Sequence, residues 1–239
     1  MSDATTGENT AMGAAGWIRK RLRQGLVLLA GILALPFILA PVFIWFNPPV
    51  SSLMLWRLLE GNGLAQSWVP LSDIAAVLPN TVLMTEDGRF CDHSGVDWSA
   101  VQDVLDDVSD GGNARGASTI TMQTAKNLFL WPYPTLLRKV LEVPLAYELE
   151  LFWGKRRIME VYLNIAEWGP GIYGAEQAAQ YHFSRSAKDL TARHAALLAA
   201  VLPNPIAREA GNPGRQTSRL AARAQRRGAQ AGAYVTCLR

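Results

Sequence analysis

The sequence predicts a mainly α-helical domain behind a single N-terminal membrane-spanning helix. Three observations predict it. A run from Gly25 to Phe46 carries no charge. Beyond Pro48-Pro49 the apolar residues recur at helical spacing. Alternating apolar–polar runs are few, which disfavours an all-β or doubly wound α/β domain.

Met1 to Gly16 are small and polar and read as disordered. The Gly25–Phe46 run is about 22 residues, roughly 33 Å at helical rise, enough to cross a hydrocarbon core. Pro36 and Pro41 are tolerable in such a helix. A cleaved signal peptide would have a shorter apolar region followed by small residues. This run ends in Ile44-Trp45-Phe46-Asn47-Pro48-Pro49, so an uncleaved anchor is favoured. Arg19, Lys20, Arg21 and Arg23 precede it, and the next cation is Arg57. The positive-inside rule then puts the N-terminus in the cytoplasm and the main domain outside. The spacing predicts helices over Ser99–Val108, Thr119–Leu130, Leu136–Phe152, Arg156–Ile165 and Leu190–Leu202. No internal repeat is evident.

Hydrophobic residues make up 49% and charged residues 18% of the 239, a balance of globular domain plus membrane segment rather than disorder. A net charge of +3 is too small for a nucleic-acid binder. Cys91 and Cys237 lie far apart, outside any zinc-ligand spacing; spacing favours unpaired thiols, with a disulfide as the alternative if the fold of a periplasmic domain brings them together.

Four stretches carry candidate chemistry. Glu86-Asp87-Gly88-Arg89-Phe90-Cys91-Asp92-His93-Ser94-Gly95 puts two acids before an aromatic and a histidine. A carboxylate beside Leu83, Met84 and Phe90 can have a raised pKa and act as a general base, though composition alone favours an acidic surface turn. Arg115 to Asn127 suits a helix entrance that attracts an anion, with Lys126 adding a point charge; its plain reading is an N-capped helix. Arg138 and Glu142 meet on one helix face, as a solvated i,i+4 pair also would. Lys155 to Asn164 is a basic helix start with an apolar stripe, the ordinary mark of packing. A fifth stretch, Gly169 to Pro205, is rich in glycine and alanine.

In this order and spacing the five stretches resemble the monofunctional biosynthetic peptidoglycan transglycosylases of glycosyltransferase family fifty-one, over roughly residues 70 to 206. The resemblance implies a lysozyme-like, two-lobed glycosyltransferase domain whose smaller jaw lobe meets the membrane. It divides the chain into a cytoplasmic tail (1–24), a transmembrane helix (25–46) and a periplasmic domain (47–239) in a bacterial inner membrane, with no room for a transpeptidase domain.

The family's first motif, E-D-x-x-F-x-x-H-x-G, falls on Glu86, Asp87, Phe90, His93 and Gly95, and its leading glutamate is the catalytic base. The second places Thr119, Gln123, Lys126 and Asn127 in the cleft. The third supplies Arg138, Lys139 and a second catalytic glutamate, Glu142. The fourth gives Lys155, Arg157, Glu160 and Asn164, which mainly build and brace the cleft, with Lys155 also counted toward substrate.

The reaction implied polymerises lipid II into β-1,4-linked strands with release of undecaprenyl diphosphate. The leaving diphosphate calls for cations, supplied by Lys126, Arg138 and Lys139, with Mg²⁺ or another divalent cation as the sole cofactor in question and Glu142 either orienting the cations or holding the metal. Partners implied are lipid II, the growing strand, the membrane and cell-division or cell-wall-synthesis proteins, with no nucleic acid.

Ala117, Met122, His182 and His194 stand where the family usually has glycine, glutamine, tyrosine and glutamate, and Pro144 is expected to interrupt and kink the third-motif helix. Two rivals remain. One is a lysozyme-like enzyme that cleaves finished glycan; the other is a non-catalytic cell-wall scaffold. The run Arg219, Arg223, Arg226 and Arg227 reads as a solvated helix face, with contact to anionic lipid as its alternative.

Overall fold

The computed structural model describes residues 5–109 and 116–239. It divides into two units, Met1–Val42 and Phe43–Arg239. Met1 to Ala4, and Arg115 of the second-motif stretch, lie outside the described residues.

The first unit is α1 (Thr5–Val42), a helix with Pro36 and Pro41 inside it. Its Gly16–Val42 portion is long and apolar enough to cross a membrane. The helix extends further toward the N-terminus than expected, since residues 5–16, read as disordered, belong to it. It also stops four residues short of Phe46. Beyond its end the Arg157 guanidinium donates to Phe43 O at 2.8 Å and to Phe46 O at 3.0 Å.

The second unit opens with α2 (Ser52–Leu59), whose N-cap Ser51 accepts from Met54 N at 3.2 Å. There follow β1 (Ala65–Gln66), α3 (Val77–Glu86), α4 (Trp98–Ser109), α5 (Ile120–Phe129), α6 (Leu136–Phe152) and α7 (Lys155–Ile165). After them come β2 (Glu167–Gly169), β3 (Ile172–Tyr173), α8 (Ala175–Phe183), α9 (Ala192–Val201) and α10 (Arg215–Ala229). The three short strands pair in the order β1-β3-β2, with β1 parallel and β2 antiparallel to β3.

All five predicted helices form, with ends within about two residues. α6 runs unbroken past Pro144, so the proline removes a hydrogen bond without ending the helix. Thr135 caps α6 by accepting from Arg138 N at 3.2 Å.

The helices pack in two groups. α3, α9 and α10 contact one another, while α5 packs on α2, α6 and α7. Where α10 crosses α3, a Cβ at Gly228 would lie 2.4 Å from Thr81 Oγ1, so only glycine permits this approach. The core is apolar and continuous across Leu78, Val82, Leu83, Ile158, Tyr162, Leu163, Trp168 and Leu198, all essentially inaccessible. Met122, which replaces a usual glutamine, joins an apolar cluster with Val96 and Ala146 and is explained by it.

The cysteines are paired, contrary to expectation. The fold brings Cys91, in the loop after α3, against Cys237 in the C-terminal 3₁₀ turn with a Cα–Cα distance of 5.5 Å. A separation of 146 residues leaves no local trace of such a pairing in the sequence.

Candidate active site

Glu86 is the last residue of α3, and its carboxylate stands where the two helical groups meet. Gln123, from the second turn of α5, donates Nε2–H to Glu86 Oε2 at 3.2 Å. Tyr162 of α7 donates its phenol to Gln123 Oε1 at 3.0 Å. Burial, with the charges of Glu86 and Asp87, raises the Tyr162 pKa well above its ordinary value, so the phenol stays a donor.

Burial also raises the pKa of Glu86, and the neighbouring Asp87 charge adds to it. The Gln123 hydrogen bond and the charges of Lys126 and Arg208 pull the other way without cancelling the rise. The carboxyl end of α3 carries partial negative charge and further disfavours an anion there. A raised pKa makes this carboxylate a better proton acceptor than an ordinary glutamate.

Lys126 lies one turn beyond Gln123 on α5. Burial lowers its pKa, as do the cations Arg138 and Lys139, while Glu142 and Glu86 oppose the shift. Among the described residues its ammonium makes no hydrogen bond or ion pair of its own. With Gln123, Asn127, Arg57 and Tyr162 it lines a cavity of about 170 Å³. Glu142 is 1% exposed and held between Arg138 Nε at 3.1 Å and Lys139 Nζ at 2.7 Å. Lys139 also donates to Ser118 Oγ at 2.8 Å, and Arg138 Nη1 donates to Pro132 O at 2.7 Å. Glu142 is therefore an anchor for two cations rather than a free carboxylate.

The remaining candidates brace this arrangement. Asp87 accepts from Ile120 N at 2.9 Å and pairs with His93 Nε2 at 3.0 Å. The anion that the α5 entrance attracts is thus the protein's own. Thr119 caps the same helix, accepting from Met122 N at 3.1 Å, and donates to Gly95 O at 2.5 Å. Gly95 has φ 92°, and a Cβ there would sit 2.9 Å from Ala146 O, which excludes a side chain. Phe90 is fully buried, with Lys155 Nζ 4.4 Å from its ring centroid.

Lys155 donates to His93 O and Glu150 Oε1, both at 2.6 Å, and Glu150 accepts from Thr121 at 2.7 Å. One ammonium therefore ties the first, second and fourth motifs and α6 together. Glu160 accepts from Leu71 N at 2.9 Å, and Asn164 pairs with both the N–H and the carbonyl of Val69.

Comparison with known proteins then places the chain. A sequence model of the family described as Transglycosylase matches residues 55–229. The chain belongs to the transglycosylase family. It is 51% identical over 221 residues to the biosynthetic peptidoglycan transglycosylase of Rhizobium meliloti (strain 1021), covering 92% of this chain and 94% of that one. The counterpart in Agrobacterium fabrum (strain C58 / ATCC 33970) is 53% identical over 221 residues, covering 92% and 98%. That in Mesorhizobium japonicum (strain LMG 29417 / CECT 9101 / MAFF 303099) is 52% identical over 223 residues, covering 92% and 94%.

In this transglycosylase the two histidine departures have structural explanations. His182 Nε2 donates to Trp168 O at 3.0 Å while its Nδ1 accepts from Gly211 N at 3.3 Å. His194 completes the Thr191 capping box and stacks on Phe183. For Ala117 nothing in the structure supplies a reason. Among the described residues no three His, Cys, Asp or Glu side chains converge to hold a metal, and Glu142 is already neutralised. The described residues therefore do not build a protein-held metal site. Sequence reasoning missed Tyr162 as a site residue, and Arg208, whose charge acts on Glu86.

Proposed function

We propose that this transglycosylase polymerises lipid II, with Glu86 as the base. The observation that carries the proposal is a largely buried carboxylate of raised pKa, beside a lysine whose ammonium is left free. Glu86 takes the proton from the 4-hydroxyl of the acceptor's terminal N-acetylglucosamine. The freed oxygen attacks the anomeric carbon of the growing strand from the face opposite the diphosphate. A β-1,4 bond forms as the bond from that carbon to the phosphate oxygen breaks, and undecaprenyl diphosphate leaves with the electron pair. Lys126 faces the developing charge, and the Arg138–Glu142–Lys139 group sets the local field. Gln123 holds Glu86 in position. A divalent cation enters this scheme only as a companion of the diphosphate.

A glycan-cleaving enzyme of the lysozyme type protonates a sugar leaving group and has no use for a cation cluster beside its acid. Lys126, Arg138 and Lys139 therefore favour synthesis.

The proposed topology has α1 in a bacterial inner membrane, residues 1–24 in the cytoplasm and the domain from residue 47 onward in the periplasm. The cation excess before the apolar run supports it, as does the Cys91–Cys237 disulfide, since such bonds persist in oxidising compartments. Proteins of cell division or cell-wall synthesis are its proposed partners.

The test is incubation of the detergent-solubilised full chain with labelled lipid II. Long glycan polymer from the parent and none from Glu86→Gln is expected. Shortening of finished peptidoglycan with no use of lipid II would overturn the reading. A C-terminal reporter active only in the cytoplasm would overturn the topology.

A further inference from the structure

Arg157, in the first turn of α7, commits its whole guanidinium to the chain that follows the apolar span. Its Nε donates to Phe43 O at 3.2 Å, and its Nη2 donates to the same oxygen at 2.8 Å and to Phe46 O at 3.0 Å. Its Nη1 donates to Asn47 Oδ1 at 3.0 Å and to Glu160 Oε1, one turn along α7. An arginine has five N–H donors, and these contacts use them all. The ring of Trp68 lies 5.5 Å from its Cζ.

Phe43 follows directly on the Gly16–Val42 stretch that is long and apolar enough to cross a membrane. The chain after it is held at several further points. Pro48 is buried, Ser51 is inaccessible and caps α2, and Ser52 Oγ donates to Asn127 O at 3.0 Å. The described residues thus leave no free linker between residue 43 and α2. Within the clasped turn, the side chains of Trp45 and Phe46 are nevertheless 75% and 65% exposed.

Stability does not require this arrangement. Glu160 alone would pair with Arg157 as an ordinary i,i+3 neighbour. Water would satisfy the two carbonyls equally well. Two adjacent exposed aromatic rings at the end of an apolar span match the aromatic belt of a membrane interface. A lipid surface accounts both for the rings and for the rigid backbone that presents them.

We propose that Arg157 is a positioning residue: by clasping residues 43–47 to α7 it presents Trp45 and Phe46 to the lipid headgroup region and so fixes the height of the cleft over the bilayer. This rests on the membrane-anchored polymerase reading above. α7 is suited to the role, because its Tyr162 orients Gln123 on Glu86 and its Lys155 holds the first-motif loop. A clasped exit keeps the cleft at the level of a lipid-linked sugar, whereas a swinging one dilutes productive encounters.

The test compares the full chain with its Arg157→Ala and Arg157→Lys variants in phosphatidylethanolamine/phosphatidylglycerol vesicles and in detergent micelles, each carrying lipid II. In vesicles, Arg157→Ala is expected to raise KM for lipid II about tenfold with kcat within about twofold. In micelles, which have no extended bilayer plane, both constants should match the parent's. Arg157→Lys should behave like Arg157→Ala, since an ammonium keeps the charge but lacks the fork that spans these acceptors. A fluorophore on Trp45→Cys, read by quenching from brominated lipids, gives a second measurement that does not depend on activity. It should sit at headgroup depth in the parent background and shift toward water with Arg157→Ala.

A parent-like KM in vesicles, or an unchanged label depth, in Arg157→Ala would overturn the proposal. So would full recovery with Arg157→Lys, which would show charge attraction to anionic headgroups in place of a clasp. Equal losses in vesicles and micelles with a lower melt would make Arg157 a plain brace of α7 and overturn it as well. If the parent forms no polymer in either medium while the label sits at headgroup depth and moves with Arg157→Ala, the clasp stands and the polymerase reading falls.

Discussion

Tyr162 and Gln123 meet as donor and acceptor at 3.0 Å, and that contact decides which way the Gln123 amide points. With Oε1 occupied by the phenol, Nε2 is the atom turned to Glu86. Tyr162→Phe frees the amide to turn its oxygen toward the carboxylate. The Gln123 donation lowers the Glu86 pKa, so losing it raises that pKa further. We expect the acid limb of the kcat/KM profile to move to higher pH and kcat to fall roughly tenfold, equivalent to about 1.4 kcal/mol of barrier. A profile superimposable on the parent's would show that the amide is held by something else.

Glu86→Gln should remove activity and add stability. A positioned base contributes about 10²–10⁴-fold to rate. The stability sign follows from linkage. The folded pKa of Glu86 lies above the ordinary carboxylate value of 4.5, so between the two the folded state binds more protons than the unfolded one. Stability is then lost as pH rises from 4.5 through the folded pKa. Glutamine carries no such penalty. Thermal melts at neutral pH should favour the variant, and the difference should vanish below about pH 4.5. A variant less stable than the parent at neutral pH would contradict the burial argument.

The same two shifts narrow the pH range of turnover from both sides. Glu86 must be ionised, so activity falls with pH through a pKa above 4.5. Lys126 must be charged, so activity falls at high pH through a pKa below the ordinary lysine value of 10.5. The alkaline limb should disappear in Lys126→Arg, because arginine does not titrate in the accessible range.

How much of this the sequence foretells depends on the distance over which each feature acts. Helices α4 to α7 and α9 announce themselves by local periodicity. α3 does not, because its buried residues, Leu78, Pro79, Thr81, Val82 and Leu83, follow no helical stripe, and Thr81 and Thr85 return their hydroxyls to Val77 O and Thr81 O. α10 has so few apolar residues that only its arginines stand out. The strands are two or three residues long, too short for alternation to register, and β1 finds its partner at Ile172 and Tyr173. Glu86, Lys126 and the Arg138–Glu142 pair were legible as motif positions. That Asp87 and Thr119 serve the α5 entrance, and that Tyr162 steers Gln123, depends on contacts between distant segments that no local pattern encodes.

Lys126 and Arg138 should separate on two axes. Lys126→Ala deletes a desolvated cation with no ion pair or hydrogen bond among the described residues, so the fold should hold while kcat falls about 10²–10³-fold. Arg138→Ala leaves the buried carboxylate of Glu142 with Lys139 alone and strips the donor from Pro132 O. Breaking a buried pair costs about 3–5 kcal/mol, so denaturant midpoints should drop markedly along with activity. Equal stability losses in the two variants would mean that Lys126 is also a structural cation.

The disulfide makes the last prediction, and it bears on compartment as well as stability. Cys91 sits between Phe90 and His93 of the first motif, and Cys237 in the terminal turn that Arg156 also holds through Leu238 O. Closing so long a loop restricts the unfolded chain, and removing such a bond costs about 2–5 kcal/mol. Cys91→Ser/Cys237→Ser, or the parent under reductant, should therefore melt at a clearly lower temperature. Catalysis well below the melt should change little, because Asp87–His93 and Lys155–His93 O still clamp the motif loop. In cells, both thiols should resist alkylation until a reductant is added. Thiols alkylated at once in the intact cell would place the domain in a reducing compartment, and the assigned topology would fall with the disulfide. A reductant-insensitive melt with alkylation-resistant thiols would instead show that the bond forms but that the Arg156 contact and the packing of α10 already hold the terminus.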